Sequence, residues 1–399
     1  MNPSLTFLPR SHTIAQPQAP AARAEGIAVE VLAGADAFAA LAPDWNRLHA
    51  EARLASVFNS WIWQFQWWQV YGAGRPLRLL VAREGGQVLG LLALYVQSTR
   101  ILGMPVRVLR LVGTGGDTNP DDLGPLLERG RAQPVAHELA RAALALRDVD
   151  VLLLTDLAPD CPFRVAVESG ARLAGRGLFA TRSERIALIR LPRSWDEYLQ
   201  SLSGHHRAGM RYKRRKLARE HATRFFAWDD AAGLDRAFER LAELHLRRWA
   251  PFGGSESFAS VEYLEFHRRV MRACLPRGWL RLYCLEVGGA IAAMMYAYRF
   301  RGVVYCVQTG FDPALARLKV GNVLFGHVLE HAIGEGNAAF DFLRGDHDYK
   351  DQLATAHRET FAVLAFRATP GGLLYRLRKV WLPRLKARLL RRPPPKLRV

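Results

Sequence analysis

Cysteine is scarce in this chain. Cys161, Cys274, Cys284 and Cys306 are spread over 399 residues, and no two stand at the close spacing of a zinc or redox pair. They read as small buried hydrophobes in a reducing compartment, which excludes a disulfide-stapled or zinc-ribbon fold. Long apolar runs are missing too. Half of the residues are hydrophobic, enough for a sizeable core, yet no stretch approaches the roughly 18 apolar residues of a membrane span. The beginning lacks the charged-then-apolar pattern of a secretory leader. Residues 1–26 are rich in Pro, Ala and Gln and are expected to be disordered. The expectation is a cytoplasmic protein. Acids are the third shortage: 37 Asp and Glu stand against 56 Lys and Arg, a formal charge of +19. Such a balance attracts phosphates, nucleic acid or an anionic membrane face.

The positive charge is concentrated in two places. Residues 375–399 contain Arg376, Arg378, Lys379, Arg384, Lys386, Arg388, Arg391, Arg392, Lys396 and Arg398 and no acid, interleaved with Leu373, Leu377, Val380, Trp381, Leu385, Leu389 and Leu390. Residues 371–399 thus read as a basic amphipathic tail suited to an acidic bilayer surface, peripheral at the inner membrane face. A solvated tail is the plainer reading. The second cluster is His205, His206, Arg207, Arg211, Lys213, Arg214, Arg215, Lys216 and Arg219, at the spacing of a helix with Met210 and Leu217 inward. It is a solvated face or a dock for an anionic substrate.

What the chain does have is an echo of itself. The segment from Leu77 to Tyr95 is matched, 203 residues on, by the segment from Leu280 to Tyr298. Each is an apolar strand, a Gly-Gly turn and a second apolar strand, the pattern of a β-hairpin. Leu48-His49 and Leu244-His245 precede the two hairpins at an offset of 196, so the second copy carries seven extra residues, placed at Pro251 to Ser257. Element order continues in parallel: a helix near Pro134 to Leu146 and a strand at Val151, against a helix from Val320 and a strand at Phe340. The chain therefore divides into two related α/β units, 27–180 and 181–370. Asp117, Asp121 and Asp122 read as part of a surface loop.

Only the second copy keeps polar groups at its late strand. Phe340-Asp341-Phe342-Leu343-Arg344-Gly345-Asp346-His347-Asp348-Tyr349-Lys350 places carboxylates, cations and a phenol at a strand end, where α/β sheets bind ligands. Asp341 or Asp346 could serve as base or anchor the nucleophile. Arg344 and Lys350 could hold phosphate or an oxyanion, with Tyr349 beside them. His245 is a competing base or a structural histidine beneath Trp249. A second candidate is the strand-to-helix connection Gly310 to Asn322, with Arg317, Lys319, Val320 and Gly321 near a helix start that suits phosphate. His327-Val328-Leu329-Glu330-His331 has the spacing of a metalloprotease pair. It shares its helix side with Val320 and Leu324 and finds no third ligand, so no metal is expected.

These stretches carry a resemblance. The sequences from Leu191 to Leu217, Leu244 to Trp249, Tyr305 to Pro313 and Asp341 to Lys350 resemble GNAT-superfamily proteins with a BioF-like acetyltransferase domain, of the CelD or cellulose-biosynthesis type. These are in turn similar to FemAB-like transferases. The resemblance implies an α/β (α+β) architecture of tandem GNAT-like folds, mixed sheets flanked by helices. It implies transfer from acetyl-CoA or another acyl-CoA to an amine, a sugar or a polysaccharide precursor, in exopolysaccharide or cellulose biosynthesis. By that resemblance the CoA pyrophosphate falls at Arg317, Lys319, Val320, Gly321 and Asn322, with Val320 where the motif's first glycine stands. Arg207, Arg211, Arg214 and Arg248 become substrate contacts. Two alternatives stay open: aminoacyl transfer from tRNA, as in FemAB-like relatives, and a non-catalytic scaffold attached to a membrane polysaccharide synthase.

Overall fold

The computed structural model describes residues 26–255, 257–345 and 348–392; most of the leading segment and Asp346 lie outside them. Thirteen strands form one sheet: β1 (Ala28–Leu32), β2 (Leu77–Glu84), β3 (Gln87–Ile101), β4 (Met104–Leu111), β5 (Leu126–Leu127), β6 (Val151–Leu157), β7 (Gly177–Arg190), β8 (Thr223–Ala227), β9 (Leu280–Val287), β10 (Ala290–Phe300), β11 (Val303–Phe311), β12 (Ala339–Asp341) and β13 (Ala356–Phe366). Their spatial order is β1-β2-β3-β4-β6-β13-β7-β12-β11-β10-β9-β8, with β5 beside β3.

The echo appears as two hairpins in one register. Leu77 faces Tyr95 and Leu280 faces Tyr298. Gly85, Gly86, Gly288 and Gly289 all take positive φ, as a tight two-residue turn requires. The sheet does not break between the halves. The last strand, β13, inserts between β6 and β7 and runs antiparallel to both. The boundary expected at residue 180 falls inside β7, which pairs along its length with β13 and, at its end, with β12.

Helices cover both faces. Alternation along β9 sends Leu282 and Cys284 to one core and Tyr283 and Leu285 to the other. The helices Trp61–Tyr71, Leu234–Trp249 and Val261–Cys274 pack on the first face. The helices Gly204–Glu220 and Val320–Gly334 pack on the second. The Trp-rich helix contributes Trp63 and Trp67 to the core, and Trp63 meets Phe266 edge-on across the two halves. Ahead of the first hairpin stand two short helices, Ala35–Ala40 and Ala42–Glu51, the second with proline in its first turn, where the missing amide costs least.

Candidate active site

The central opening lies where β11 and β12 part. They pair in parallel for three residues, Val303 with Ala339, Val304 with Phe340 and Tyr305 with Asp341, and then separate. Against β10, Cys306 faces Ala297 while Gln308 faces Tyr296. Val307 is therefore an extra residue, a bulge that bends the second half of β11. β12 ends at Asp341 because Leu343 takes a left-handed φ of 53° and donates its amide back to Asp341 Oδ1 at 2.7 Å. Beyond Tyr305, β11 has no strand on its β12 side among the described residues. Such an edge is a rail for an extended ligand that carries amides.

The rail leads to a helix tip. Asp312 caps the short 3₁₀ turn Pro313–Leu318 through the Ala314 amide at 3.0 Å. Lys319, with φ 56°, then starts the helix Val320–Gly334. The amides of Asn322 and Val323 bond to the Lys319 carbonyl; those of Val320 and Gly321 stand at the first two helical positions, where the helix itself supplies no acceptor. Open amides and the positive end of the helix dipole favour an anion. Val320 turns its side chain wholly into the core, so its bulk leaves the tip clear. Arg317, Lys319 and Asn322 are exposed around it. Gly310 does not belong to this group. A Cβ there would stand 2.6 Å from the His245 nitrogen; this glycine lets the helix Leu234–Trp249 lie directly on β11, and its role is packing.

That helix delivers His245 to the bent half of β11. Its Nδ1 lies 3.0 Å from the Thr309 carbonyl and its Nε2 2.9 Å from Ser255 Oγ. A carbonyl can only accept, so Nδ1 carries the proton and Nε2 is left as the acceptor of the Ser255 hydroxyl. Burial holds the histidine below its ordinary pKa, and hence neutral. Ser255 sits on the seven-residue insertion, and its Oγ also accepts the Ser257 amide at 3.2 Å. Arg248, one turn on, donates to Thr309 Oγ1 at 2.7 Å and lies over the rings of Trp249 and Phe311. Gln308 donates to Ser257 Oγ and Tyr263 Oη. Tyr349 is exposed. A neutral, oriented imidazole with a hydroxyl on its free nitrogen is the arrangement of a proton acceptor.

Asp341, Arg344 and Lys350 lie elsewhere in the bonding pattern than the sequence suggests. The carboxylate of Asp341 is occupied by the Leu343 amide and, at 2.6 Å, by Arg358 Nε. Arg358 also reaches Asp122 at 3.1 Å and Asp121 at 3.4 Å. Arg344 reaches Asp156 at 2.7 Å and lies within 3.8 Å of Glu184. Lys350 donates to the carbonyls of Phe342, Leu343 and Arg344 at 3.2, 3.3 and 2.9 Å and so pins the turn after β12. Arg344, and Asp341 through Arg358, tie the two halves together, and both oxygens of Asp341 are engaged. Asp121 is buried and Asp122 half-buried, whereas Asp117 is exposed, as a surface loop requires. Burial raises Asp122 to about 6 and Asp121 well above the usual carboxylate range. Burial would lower Arg358, but Asp341, Asp122 and Asp121 around it raise it.

The basic helix Gly204–Glu220 lies on the opposite sheet face from His245. Arg211 pairs with Asp196 at 3.0 Å. Arg214 pairs with Glu330, bonds His327 at 3.1 Å and covers the Trp195 ring. Arg207 is half-buried on the same helix. A groove of about 440 Å³ runs between this helix and the flank of Val320–Gly334, lined by Arg211, Arg214, Arg215 and Trp195. His327 stacks on Phe225, which makes it a packing residue. The geometry thus brings together Arg317, Lys319, Val320, Gly321 and Asn322 at one end of the rail and His245 and Arg248 beside it. It sends Asp341, Arg344 and Lys350 to the junction.

Residues 204–351 match the family model described as acetyltransferase (GNAT) domain. No curated protein matches the sequence. Among solved structures, FemX superposes with a TM-score of 0.60 at 11% identity, over 84% of this chain and 98% of that one. A conserved protein of unknown function from Bacteroides thetaiotaomicron VPI-5482 gives 0.50 at 10% identity, over 85% and 100%. A tandem GNAT protein from the clavulanic acid biosynthesis pathway gives 0.44 at 15%, over 86% and 100%. The fold is that of the GNAT acyltransferases. Residues 204–351 carry the match to a GNAT-type acetyltransferase domain, and the fold of the chain is similar to that of FemX.

Proposed function

We propose that this chain transfers an acyl group from an acyl-CoA thioester to an amine or hydroxyl of a small-molecule or saccharide acceptor. One observation carries the reading: the unpaired edge of β11 runs from a neutral, oriented His245 to the open amides of Val320 and Gly321. The tip takes the pyrophosphate, with Arg317 and Lys319 adding charge, and the rail takes the amide-bearing arm. The acceptor atom bonds to the thioester carbonyl carbon, the carbon–sulfur bond breaks, and CoA leaves as the thiolate, which takes up the proton that His245 has received. The acceptor reaches that carbon from the side of the inserted loop and gives up its proton to His245 Nε2 through the Ser255 hydroxyl, which hands on one proton as it receives another. Arg248 stands one turn away to steady charge that develops there.

A thermal-shift titration with acetyl-CoA and longer acyl-CoAs tests donor binding, since a specific ligand stabilises the folded state. Gly321→Asp puts a carboxylate among the open amides and should abolish the shift. His245→Gln should keep the shift and lose thiol release. An unchanged melting temperature with every acyl-CoA refutes the reading. The groove beside Arg211 and Arg215 favours one alternative donor, aminoacyl-tRNA; binding of charged tRNA that falls steeply with salt would support it.

A further inference from the structure

The tail is built with two sides. Thr369 caps the helix Pro370–Tyr375 through the Gly372 amide, a π-helical turn Arg376–Trp381 follows, and the helix Leu382–Leu389 completes it. Tyr375 and Val380 are buried with Val106, Leu153, Leu364 and Phe366 on the sheet. Arg384 lies 4.0 Å over the Phe179 ring. The opposite side is apolar and open. Leu373, Leu377, Trp381, Leu385 and Leu389 recur every four residues and are 55, 43, 53, 54 and 75% exposed. A four-residue step outruns the 3.6-residue α-helical turn and would creep around the helix. The wider π turn in the middle creeps the other way, which keeps the five residues close to one side.

We infer that this side of residues 370–392 lies on an anionic lipid surface. Eight cations and no acid accompany the stripe between Arg376 and Arg392. Apolar residues flanked by like charges match the acyl and headgroup layers of such a membrane. Nucleic acid would meet the cations but leave five large apolar side chains in water. A second copy of the chain would bring eight like charges against eight. Among the described residues no helix is long and apolar enough to cross a membrane, so the tail lies on the surface. The placement is independent of the acyl-transfer reading.

The test is flotation of the full chain with vesicles of phosphatidylcholine alone and of phosphatidylcholine with phosphatidylglycerol in equal parts. Binding is expected to the mixed vesicles only and to weaken with salt. Trp381→Glu with Leu385→Glu should abolish it while leaving the melting temperature unchanged, because both side chains point away from the sheet. Replacing Arg378, Lys379 and Lys386 by Gln should cut affinity on the order of 100-fold. Failure to float with the mixed vesicles overturns the inference, as does equal flotation of the double-Glu variant. It is also overturned if the tail binds polyuridylate with an affinity that the double-Glu variant keeps, or if that variant turns a dimer into a monomer.

Discussion

Arg358 holds the two halves at one point, and replacing it by Met is the sharpest perturbation of the fold. Its guanidinium serves Asp341, Asp122 and Asp121 at 2.6, 3.1 and 3.4 Å, and the side chains of Asp121 and Asp341 are only 1% and 5% exposed. Met fills much of the volume but leaves three carboxylates without their shared cation. Removing one partner of a buried ion cluster costs about 3–5 kcal/mol. For one cooperative unit of this length that is a fall in melting temperature of about 5 °C. The loss should depend on pH. In Arg358→Met the carboxyls can relieve the strain by taking protons, so the penalty at pH 5 should be roughly half of that at pH 8. Arg358→Lys keeps the charge without the fork and should lie between. Calorimetry at the two pH values reads both effects. A loss below about 1 kcal/mol, or one larger at pH 5 than at pH 8, would refute the assignment of Arg358 as the central cation of the junction.

Three further outcomes follow from the same coordinates. In the native chain, Asp122 titrates at about 6 instead of 3.8 because it is buried. A carboxyl raised on folding contributes stability that is complete below about pH 4 and lost as pH rises through 6, here about 3 kcal/mol, readable by urea titration across that window. Lys350→Met should cost about 2 kcal/mol, because three carbonyls lose their buried donor, and should loosen the turn after β12 in hydrogen exchange. Gly310→Ala should cost about 3 kcal/mol or more, since the added carbon meets helix backbone that cannot step aside; equilibrium unfolding checks it.

Local features were legible in the sequence and long-range ones were not. The Gly-Gly turns mark both hairpins, and the helix-spaced cations from His205 to Arg219 and the helix from Val320 lie where the periodicity puts them. Nothing local marks β13 as the partner of β6 and β7: Ser183 meets Thr360 across 177 positions. The polar start of β13, with His357, Arg358 and Glu359, does not look like a buried strand until Asp121, Asp122 and Asp341 surround it. One signal of the junction does stand in the sequence. Asp156 closes an otherwise apolar strand, and a lone carboxylate there needs a cation, which is Arg344. At the rail, Val320 stands where the glycine motif has glycine, and its side chain lies wholly in the core.

The two copies differ in how they use a matching histidine. His49 and His245 occupy matching places ahead of their hairpins, but His49 directs Nε2 to the Ser56 carbonyl at 2.7 Å, and burial lowers it to about 4. A ring nitrogen facing a carbonyl must hold a proton and cannot accept one. In the second copy the insertion sets the Ser255 hydroxyl against Nε2 instead, so that this nitrogen accepts while Nδ1 keeps the proton. In the first copy the helix end near His49 is given to assembly: Arg301, at the β10–β11 turn, donates to the carbonyls of His49, Ala50 and Ala52. The late strand ends are spent likewise, Asp156 on Arg344 and Asp341 on Arg358. Duplication thus supplied two sets of polar strand ends and two histidines. The strand ends Asp156 and Asp341 are engaged at the junction, whereas His245, beside the bulge of β11, keeps Nε2 against a hydroxyl.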